Sequence, residues 1–363
     1  MVYILQLLSQ ENIISKLTMV SSTTLLLIAN SLSLALSYPS SHASWTTLAP
    51  IPAPRQEHTT IFLPPSTIGI LGGVIPGAGE TLPNTTGIMQ FYSITHDTWR
   101  TVSSIPKPVN HGNAAAVNGK IYVLGGLVPT ETWNTSPVWN YTSDSWVYDP
   151  RDDSWAPLPA MPGVEARGSA GVGVYEGKVF LAGGLRKLEL FHGGVQETVD
   201  TVSIFDTVTK KWLEVPSAAK NIPEGRDHAG AAVVGSKMFV LGGRKNGQEN
   251  VKDTVFILDL KNLQRGWKTS KAKMPTPRGG VATGVIGKKV YIFGGEGNTQ
   301  VASGVFNETE SYDTATDCWE KSIPMKIPRH GTYAVGVGKK VYIPGGGIMQ
   351  SGSPVSDFDV FTV

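Results

Sequence analysis

Apolar and polar residues alternate over short runs along most of the chain. The run "HGNAAAVNG" (111–119) turns at Asn-Gly into "KIYVLGG" (120–126), which stops at two glycines. Alternation with a period of two over four to eight residues is typical of a β-strand with one buried face, and Asn-Gly favours a tight hairpin. The pattern therefore predicts antiparallel hairpins and an all-β fold.

The strand that ends at a double glycine recurs six times. The six runs are "GILGG" (69–73), "YVLGG" (122–126), "FLAGG" (180–184), "FVLGG" (239–243), "YIFGG" (291–295) and "YIPGG" (342–346). The first glycines of successive pairs lie 53, 58, 59, 52 and 51 residues apart. A repeat of this length is typical of propeller blades or solenoid units.

Each repeat continues in the same order after its glycines. A variable stretch leads to an aromatic or aliphatic residue before Asp, as in "VYDP" (147–150) and "SYDT" (311–314). A tryptophan then begins the last strand; these residues are Trp99, Trp155, Trp212, Trp267 and Trp319. Each repeat thus predicts four antiparallel strands, and we expect the tryptophans, with Trp45, to be core residues.

These features resemble the kelch-repeat β-propellers. The resemblance covers 45–363 and rests on the glycine pairs, the aromatic-Asp and Trp positions, and "P-x-P-R" at 52–55 and 275–278. It implies one six-bladed domain. The sixth repeat ends at "VSDFDVFTV" (355–363) without a tryptophan strand, whereas "SWTTLAPIPAPR" (44–55) is an unpaired one. We therefore predict that the N-terminal strand completes the last blade and closes the ring.

The N-terminal segment, 1–37, is predicted to be a signal peptide. Its apolar run from Leu25 to Leu36 is too short to span a bilayer and is followed by small residues. A signal anchor is the alternative. Four N-x-S/T sequons, at Asn84, Asn134, Asn140 and Asn307, agree with entry into the secretory pathway. We expect a secreted glycoprotein that is a monomer, with no membrane attachment after signal removal.

Composition excludes several function classes. Only 17% of residues are charged and the net charge is +2, so the chain has no general footprint for nucleic acid. Cys318 is the one cysteine, which rules out an intrachain disulfide. It directly precedes a repeat tryptophan, so we expect an inert buried thiol on an outer strand.

The residues that enter the first strand of each repeat are polar and largely basic. In a four-stranded meander they lie on the same face as the loops after the double glycines and converge on the central channel. They are Arg55, His58, His111, Asn113, Glu165, Arg167, Arg226, His228, Arg278, Arg329 and His330. Several guanidiniums at one channel mouth predict an anion site. The alternative is that each arginine bonds to neighbouring loops.

Resemblance to particular kelch proteins suggests roles for these residues. Peptide-reading kelch propellers are similar in holding acidic motifs with arginines here and after a double glycine, where Arg244 lies. Short kelch propellers that epimerise sialic acid look similar in size and in pairing Glu with Arg. Glu165 is the acidic residue predicted in the ring, so it is the candidate acid or base. A salt bridge to Arg167 without any catalytic role also explains the presence of Glu165, and we favour that interpretation.

Metal and cofactor chemistry are not predicted. Copper oxidases of the galactose oxidase type need a cysteine crosslinked to a tyrosine, and Cys318 lies on an outer strand. The histidines come from different repeats without the close spacing of a metal motif, which favours structural contacts. The chain has no phosphate loop, nucleophile elbow or dinucleotide fingerprint. We expect no cofactor.

The loop after the second double glycine, "LVPTETWNTSPVWNYTSDS" (127–145), carries Trp133 and Trp139. These indoles either fold back over the channel mouth, where they would stack on a sugar or a flat aromatic metabolite, or pack on their own loop as a surface cluster. The sequence slightly favours the second arrangement.

Two function classes follow from these features. The first is a secreted binding or accessory protein that recognises a protein or a small acidic or aromatic ligand on its loop face. Short fungal kelch-like proteins that resemble this chain occur beside oxidases in secondary-metabolite pathways, which implies an accessory biosynthetic role. The second class is an isomerase or epimerase of an acidic sugar or organic acid, acting through Glu165. The fold hosts both classes.

Overall fold

The computed structural model describes residues 43–77, 83–133, 136–191 and 193–363, without the side chains of 131–133. The described residues belong to one compact unit. The predicted signal peptide, 1–37, lies outside them. Among the described residues, no helix combines the length and the apolarity needed to cross a bilayer.

The first two repeats contribute strands β2–β11, and β1 precedes them. The bounds are β1 Ser44–Thr47, β2 Thr59–Leu63, β3 Thr67–Leu71, β4 Val74–Ile75, β5 Asn84–Thr85, β6 Met89–Ser93, β7 Thr98–Val102, β8 Ala114–Val117, β9 Lys120–Trp133, β10 Ser136–Asp149 and β11 Ser154–Pro157. Most are four or five residues long. The two 14-residue strands, β9 and β10, are much longer and extend the sheet into the loop region.

The remaining repeats contribute strands β12–β28 and one short helical turn. The bounds are β12 Gly171–Tyr175, β13 Lys178–Glu189, β14 Gln196–Asp206, β15 Lys211–Leu213, β16 Gly230–Val234, β17 Lys237–Leu241, β18 Val255–Asp259, a 3-10 turn Leu263–Arg265, β19 Trp267–Thr269, β20 Ala282–Ile286, β21 Lys289–Phe293, β22 Thr309–Asp313, β23 Cys318–Lys321, β24 Val335–Val337, β25 Lys340–Pro344, β26 Gly347–Met349, β27 Gly352–Pro354 and β28 Phe358–Thr362. The prediction of an all-β fold is confirmed.

All strands except β4, β5, β26 and β27 pair in six four-stranded antiparallel groups, which we call units 1 to 6. The groups are β2-β3-β6-β7, β8-β9-β10-β11, β12-β13-β14-β15, β16-β17-β18-β19, β20-β21-β22-β23 and β24-β25-β28-β1. Units 2 and 3 share one eight-stranded sheet because β10 also pairs with β13, Trp139 opposite Leu188. In unit 6, β1 pairs with β28 with Ser44 opposite Thr362.

The units are arranged as a propeller with their first strands innermost. Those strands contact one another in order, β2 to β8, β12, β16, β20 and β24, and β24 also contacts β2. They enclose a channel of about 250 Å³ lined by small residues such as Ala114, Ala170 and Ala231. Small side chains let the inner strands approach closely where the units crowd around the channel.

The double glycines fit a close approach between units. Gly294 has φ 57°, and a Cβ there would lie 2.1 Å from the carbonyl oxygen of Arg329 in the next unit. The following residue, Gly295, donates its N–H to that same oxygen over 2.9 Å. The repeat needs glycine here because both the positive φ and the approach of the neighbouring backbone exclude a side chain.

The tryptophans of the repeat pack against the apolar clusters between units. They are half-buried there, whereas the sequence predicts that they are core residues. Four indole N–H groups donate to a backbone carbonyl about fifty residues earlier; Trp99 to Ala49 over 2.8 Å is one example. These four tryptophans therefore cover a cluster with one part of the ring and bond to the adjacent unit, while another part stays exposed.

Cys318 occupies the outer strand β23, as predicted, but its thiol is exposed. Side chains alternate along β23, so Cys318 faces away from the cluster that its neighbour Trp319 covers. The prediction of a buried thiol was therefore wrong.

Candidate functional site

The residues between each unit's entering loop and its first strand have a common register. In every unit one residue forms an antiparallel bridge with the residue just after the double glycine. The bridged pairs are Gln56–Val74, Asn110–Leu127, Gly168–Leu185, Asp227–Arg244, Gly279–Glu296 and His330–Gly347. This bridge fixes the loop after the glycines beside the entrance to the channel, so side chains from both segments meet there.

The next residue of each unit belongs to a hydrogen-bonded ring, which we call the inner ring. Its members are Glu57, His111, Ser169, His228, Gly280 and Gly331, all with φ between 50° and 65°. Each N–H donates over 2.6–3.1 Å to the preceding member, to the carbonyl oxygen in five cases and to the Ser169 hydroxyl in the sixth. The ring lies at one end of the channel, since the residues that follow its members line the channel.

Three side chains of the inner ring meet at its centre. The Nε2 atoms of His111 and His228 are 2.9 Å apart, and Oε2 of Glu57 lies 3.2 Å from Nε2 of His111 and 3.9 Å from Nε2 of His228. All three residues are at most 6% exposed. We call this group the central triad.

Neighbouring residues hold both imidazoles. Nδ1 of His111 lies 2.6 Å from Oδ1 of Asn110, whose amide nitrogen donates to Thr85. Nδ1 of His228 lies 2.6 Å from Oδ1 of Asp227. Because both partners offer acceptor oxygens, Nδ1 of each histidine acts as the donor and Nε2 faces the triad.

A second charged layer surrounds the triad on the side of units 4 to 6. Arg244 donates from Nε to Asp227 over 3.0 Å, donates from Nη1 to Glu296, and places Nη2 3.2 Å from Nε2 of His228. His330 donates from Nε2 to the carbonyl oxygen of Met349 over 2.7 Å. Its Nδ1 lies 3.4 Å from Oε2 of Glu296 but has no hydrogen-bond partner.

Burial and the neighbouring charges shift the pKa values of this layer. Burial holds the pKa of His111 well below its ordinary value, and the adjacent His228 and Arg244 lower it further. This imidazole is therefore neutral at neutral pH. Burial tends to raise the pKa of Asp227, but His228 and Arg244 outweigh it and the pKa is lowered. The same opposition, with His330 and Arg244 as the partners, lowers the pKa of Glu296. Both carboxyls are therefore ionised.

The opposite side of the site is apolar. Trp139, 2% exposed, packs with residues that follow the glycines in units 1 to 3 and with β13; the cluster is Val74, Leu127, Trp139, Leu185 and Leu188. The indole lies against the imidazole of His111 with ring centroids 5.6 Å apart. Trp139 therefore covers the triad from units 2 and 3, which is the arrangement that the sequence slightly disfavoured.

Two clefts border this covered centre. Cleft 1, about 300 Å³, lies between Trp139, Gln56, the residues around Pro76 and the β26–β27 hairpin. Cleft 2, about 280 Å³, lies between the β13–β14 turn, Gln196 and Gln248. Each has a glutamine with a buried, unpartnered carbonyl oxygen, on Gln56 and Gln196 respectively. The centre is thus buried, and the larger spaces flank it.

The arginines predicted to line the channel mouth are turned into their own units. Arg55, Arg167, Arg226, Arg278 and Arg329 are at most 1% exposed. Arg167 donates to the carbonyls of Leu181, Gly183 and Thr201, and Arg278 pairs with Glu310 over 2.5 Å. The expected anion site is therefore not formed by these side chains, because each guanidinium bonds to backbone carbonyls or to polar side chains of its own unit. Arg244 alone of the predicted arginines contacts the central triad.

Glu165 and His58 also lie away from the triad. Glu165 is half-buried beside Arg167 and accepts a hydrogen bond from Ser203 over 2.6 Å, so the prediction of an acid in the ring was wrong for this residue. His58 is fully buried between units 1 and 6, near Gly345. Burial, with Arg55 nearby, lowers the pKa of His58 to about 3. Asn113 is buried as well and donates to the carbonyls of Leu124 and Arg167.

Sequence reasoning missed the acidic members of the site. Glu57, Asp227 and Glu296 are each at most 5% exposed and supply its negative charge. Alignment of the repeats on the arginine before the first strand would have placed Glu57, two residues after Arg55, at the register of His228, two residues after Arg226. Alignment on the double glycines would have placed Glu296 at the register of Arg244.

The remaining predicted residues are surface features or lie outside the description. Asn84 and Asn307 are exposed, and Asn140 is half-buried with its amide donating to Thr130 over 2.6 Å. Asn134 lies outside the described residues. So does the side chain of Trp133.

Comparison with protein families identifies kelch repeats in two parts of the chain. Residues 186–363 match the KLHDC2/KLHL20/DRC7 Kelch-repeats domain, and 109–162 match the Kelch motif. Among solved structures, "Structure of YjhT" superimposes with a TM-score of 0.69 at 18% identity, covering 87% of this chain and 97% of that one. At this identity the likeness shows the fold alone.

Curated relatives of the chain are also kelch-like proteins. Kelch-like protein terF of Aspergillus terreus is 38% identical over 303 residues, which are 84% of this chain and 63% of that protein. Human Kelch-like protein 25 is 25% identical over 260 residues, 71% of this chain and 40% of that protein. The chain thus spans less than two thirds of the length of these relatives. Together, the repeats, the fold and the fungal relative support a kelch-type protein with an all-β propeller fold.

Proposed function

We propose that this protein is a secreted kelch-type binding or accessory protein that takes a small acidic or aromatic ligand on its loop face. Its place would be in a secondary-metabolite pathway. The fungal relative, Kelch-like protein terF, and the resemblance of the chain to short fungal kelch proteins support that place.

We further propose that the six units close into a six-bladed ring, with β1 as the last strand of the final blade. The pairing of β1 with β28 supports this closure, as does the contact of β24 with β2. Closure matters for function because it keeps the six loops after the double glycines on one rigid face.

One observation carries the binding proposal: each cleft borders a buried amide oxygen without a partner, and the lining of cleft 1 is mainly apolar whereas that of cleft 2 is mainly polar. Cleft 1 combines Trp139 and Pro76 with Oε1 of Gln56, and cleft 2 combines Leu190 with Oε1 of Gln196. A buried acceptor without a donor is unfavourable by about 1–3 kcal/mol, which the hydroxyl of a sugar, a hydroxy acid or a phenol would relieve by donating to it. Concave apolar sites with a few fixed polar groups are typical of small-molecule binding.

A thermal-shift screen tests this proposal. The purified protein is heated with acidic sugars, aromatic acids and acidic peptides, and a ligand that binds the folded state raises the Tm. Gln56→Ala should reduce the shift by at least half for a cleft 1 ligand, and Gln196→Ala for a cleft 2 ligand. Gln300→Ala, at an exposed glutamine in the equivalent loop of unit 5, is the matched control. Absence of any shift, or a shift that survives both cleft variants, would contradict the proposal.

The enzymatic alternative, an isomerase or epimerase of an acidic sugar or organic acid, placed its acid at Glu165. That carboxylate is engaged by Ser203 and lies beside a guanidinium that already serves strand carbonyls. We expect Glu165→Gln to leave the ligand-induced shift unchanged. A measurable turnover that disappears in Glu165→Gln would instead favour the enzyme.

A further inference from the structure

We propose that the central triad, Glu57, His111 and His228, is a binding site for one divalent transition-metal ion, with Zn²⁺ as the best match. This inference is independent of the two clefts and of any ligand bound there. It also departs from the sequence-based expectation of no metal, because residues more than fifty positions apart are brought together only by the inner ring.

The ligand set and its spacing suit a metal. The triad offers two imidazole nitrogens and one carboxylate oxygen, all within 4.8 Å of one another. Zinc sits about 2.0–2.2 Å from nitrogen and oxygen ligands, so such an ion fits among atoms roughly 3–4 Å apart. Two histidines and one carboxylate leave at least one coordination position for water or another ligand.

The surrounding hydrogen bonds already orient the ligands. Asp227 and Asn110 accept from the Nδ1 atoms of His228 and His111, which leaves both Nε2 atoms facing the triad. Two lone pairs 2.9 Å apart repel unless a cation or a proton lies between them. A carboxylate or amide oxygen behind each ligand histidine is the usual outer shell of a metal site.

The site also has the required space. A void of about 10 Å³ lies among Glu57, His111, His228, Glu296 and His330. Such a volume holds about one water-sized particle. Nδ1 of His330, on a side chain only 1% exposed, faces this space without a hydrogen-bond partner. An ion-bound water there would supply the missing donor or acceptor.

The balance of buried charge favours a cation. Three carboxylates, on Glu57, Asp227 and Glu296, are buried around the triad, against the single guanidinium of Arg244. Uncompensated buried charges are strongly unfavourable. A divalent ion held by Glu57, His111 and His228 would offset this excess of acidic side chains.

Arg244 makes a contact that metal binding would displace. Its Nη2 lies 3.2 Å from Nε2 of His228 and would give up that contact to the metal. Its Nε and Nη1 remain held by Asp227 and Glu296, so the guanidinium keeps two of its partners.

The deciding experiment measures metal uptake by the full chain. Purified protein is stripped with a chelator, titrated with Zn²⁺ by calorimetry, and separately loaded with Co²⁺ for visible spectroscopy. We expect one equivalent of bound metal and the intense absorption of cobalt with four or five ligands. Less than half an equivalent, or the weak spectrum of six-coordinate aqueous cobalt, would overturn the proposal.

Variants identify the ligands. Glu57→Gln, which preserves shape, should weaken zinc binding at least about tenfold, and Asp227→Asn by about 10–100-fold through loss of the outer shell. His111→Ala should abolish binding, and His96→Ala, at an exposed histidine, should not change it. Circular dichroism checks that each variant is folded. Full-affinity binding in a folded Glu57→Gln and a folded His111→Ala variant would place the metal elsewhere and reject the site.

Discussion

At the scale of single residues, the buried arginines of this protein have different partners depending on which way the side chain turns. Arg278 and Arg244 are both buried. Arg278 donates to a carbonyl of its own unit, whereas Arg244 donates to Asp227 beside the central triad. Burial lowers the pKa of Arg167 to about 10, and the carbonyls around it stabilise the charge that remains. The sequence predicts that these arginines recur, yet the register alone does not say towards which strand each one turns.

The buried pair of Arg278 and Glu310 makes a stability prediction. Neither side chain is exposed, so Arg278→Met should lower the free energy of unfolding by about 3–5 kcal/mol by leaving a buried carboxylate unpaired. Adding Glu310→Leu should restore much of that loss. Lys107→Ala, which removes the surface pair with Asp144, should change it by about 0–1 kcal/mol. Chemical denaturation measures all three, and equal effects of the two single changes would contradict the assignment.

His58 makes a prediction about acid stability. Burial lowers its pKa in the folded protein to about 3, below the value near 6.5 of the unfolded chain. As the pH falls, the unfolded chain takes up the proton first, so stability is retained above pH 6.5 and lost as the pH approaches 3. His58→Gln should reduce the pH slope of the unfolding free energy by up to about 1.4 kcal/mol per pH unit in this window. An unchanged slope, with His96→Gln as the surface control, would show that His58 is protonated when folded.

At the scale of elements, the repeats were predictable and the extensions were not. Turn residues, alternation and glycine pairs define each hairpin locally, so the four-stranded units follow from sequence. The pairing of β10 with β13 depends on the long strands of units 2 and 3, where the sequence pattern predicts loops. Because a loop can pack on itself, the sequence slightly favours a surface cluster and not the observed position of Trp139 over the triad.

The N-terminal strand β1 gives a prediction at this scale. Trp45 packs on Phe293 and Phe361 with ring centroids 5.6 and 5.2 Å away. Trp45→Ala should destabilise the protein by about 2 kcal/mol, less than a fully buried tryptophan because the indole is half-exposed. Thr46→Ala, on the exposed face of the same strand, should change stability by less than about 0.5 kcal/mol. A silent Trp45→Ala variant would mean that β1 contributes little to unit 6.

At the scale of the whole molecule, the loop face is divided. Units 1 to 3 supply the apolar cluster with Trp139, and units 4 to 6 supply the charges of Asp227, Arg244 and Glu296. The sequence contains both halves, but their meeting point depends on the inner ring, which no local pattern encodes. A search by motif spacing therefore could not find the triad, whereas alignment of the repeats against one another points to it.

The sequons give a prediction about the outer surface. The exposed side chains of Asn84 and Asn307 should carry glycans in protein recovered from culture medium. Asn140 should be modified less, because its amide is half-buried and donates to Thr130. Mass spectrometry of glycopeptides, with and without enzymatic deglycosylation, measures the occupancy. Heavy modification at Asn140 with bare Asn84 would contradict this order.

The pairing of β1 with β28 places the two ends of the described chain beside each other, since Ser44 lies opposite Thr362. A short linker between these ends, with new termini in the exposed turn at Val164, 84% exposed, would give a circularly permuted protein. Every strand would keep its present neighbours, but the break in the chain would move from unit 6 to the turn between units 2 and 3. Such a permutant should therefore fold to the same propeller, with new termini on the loop face where a reporter can be fused.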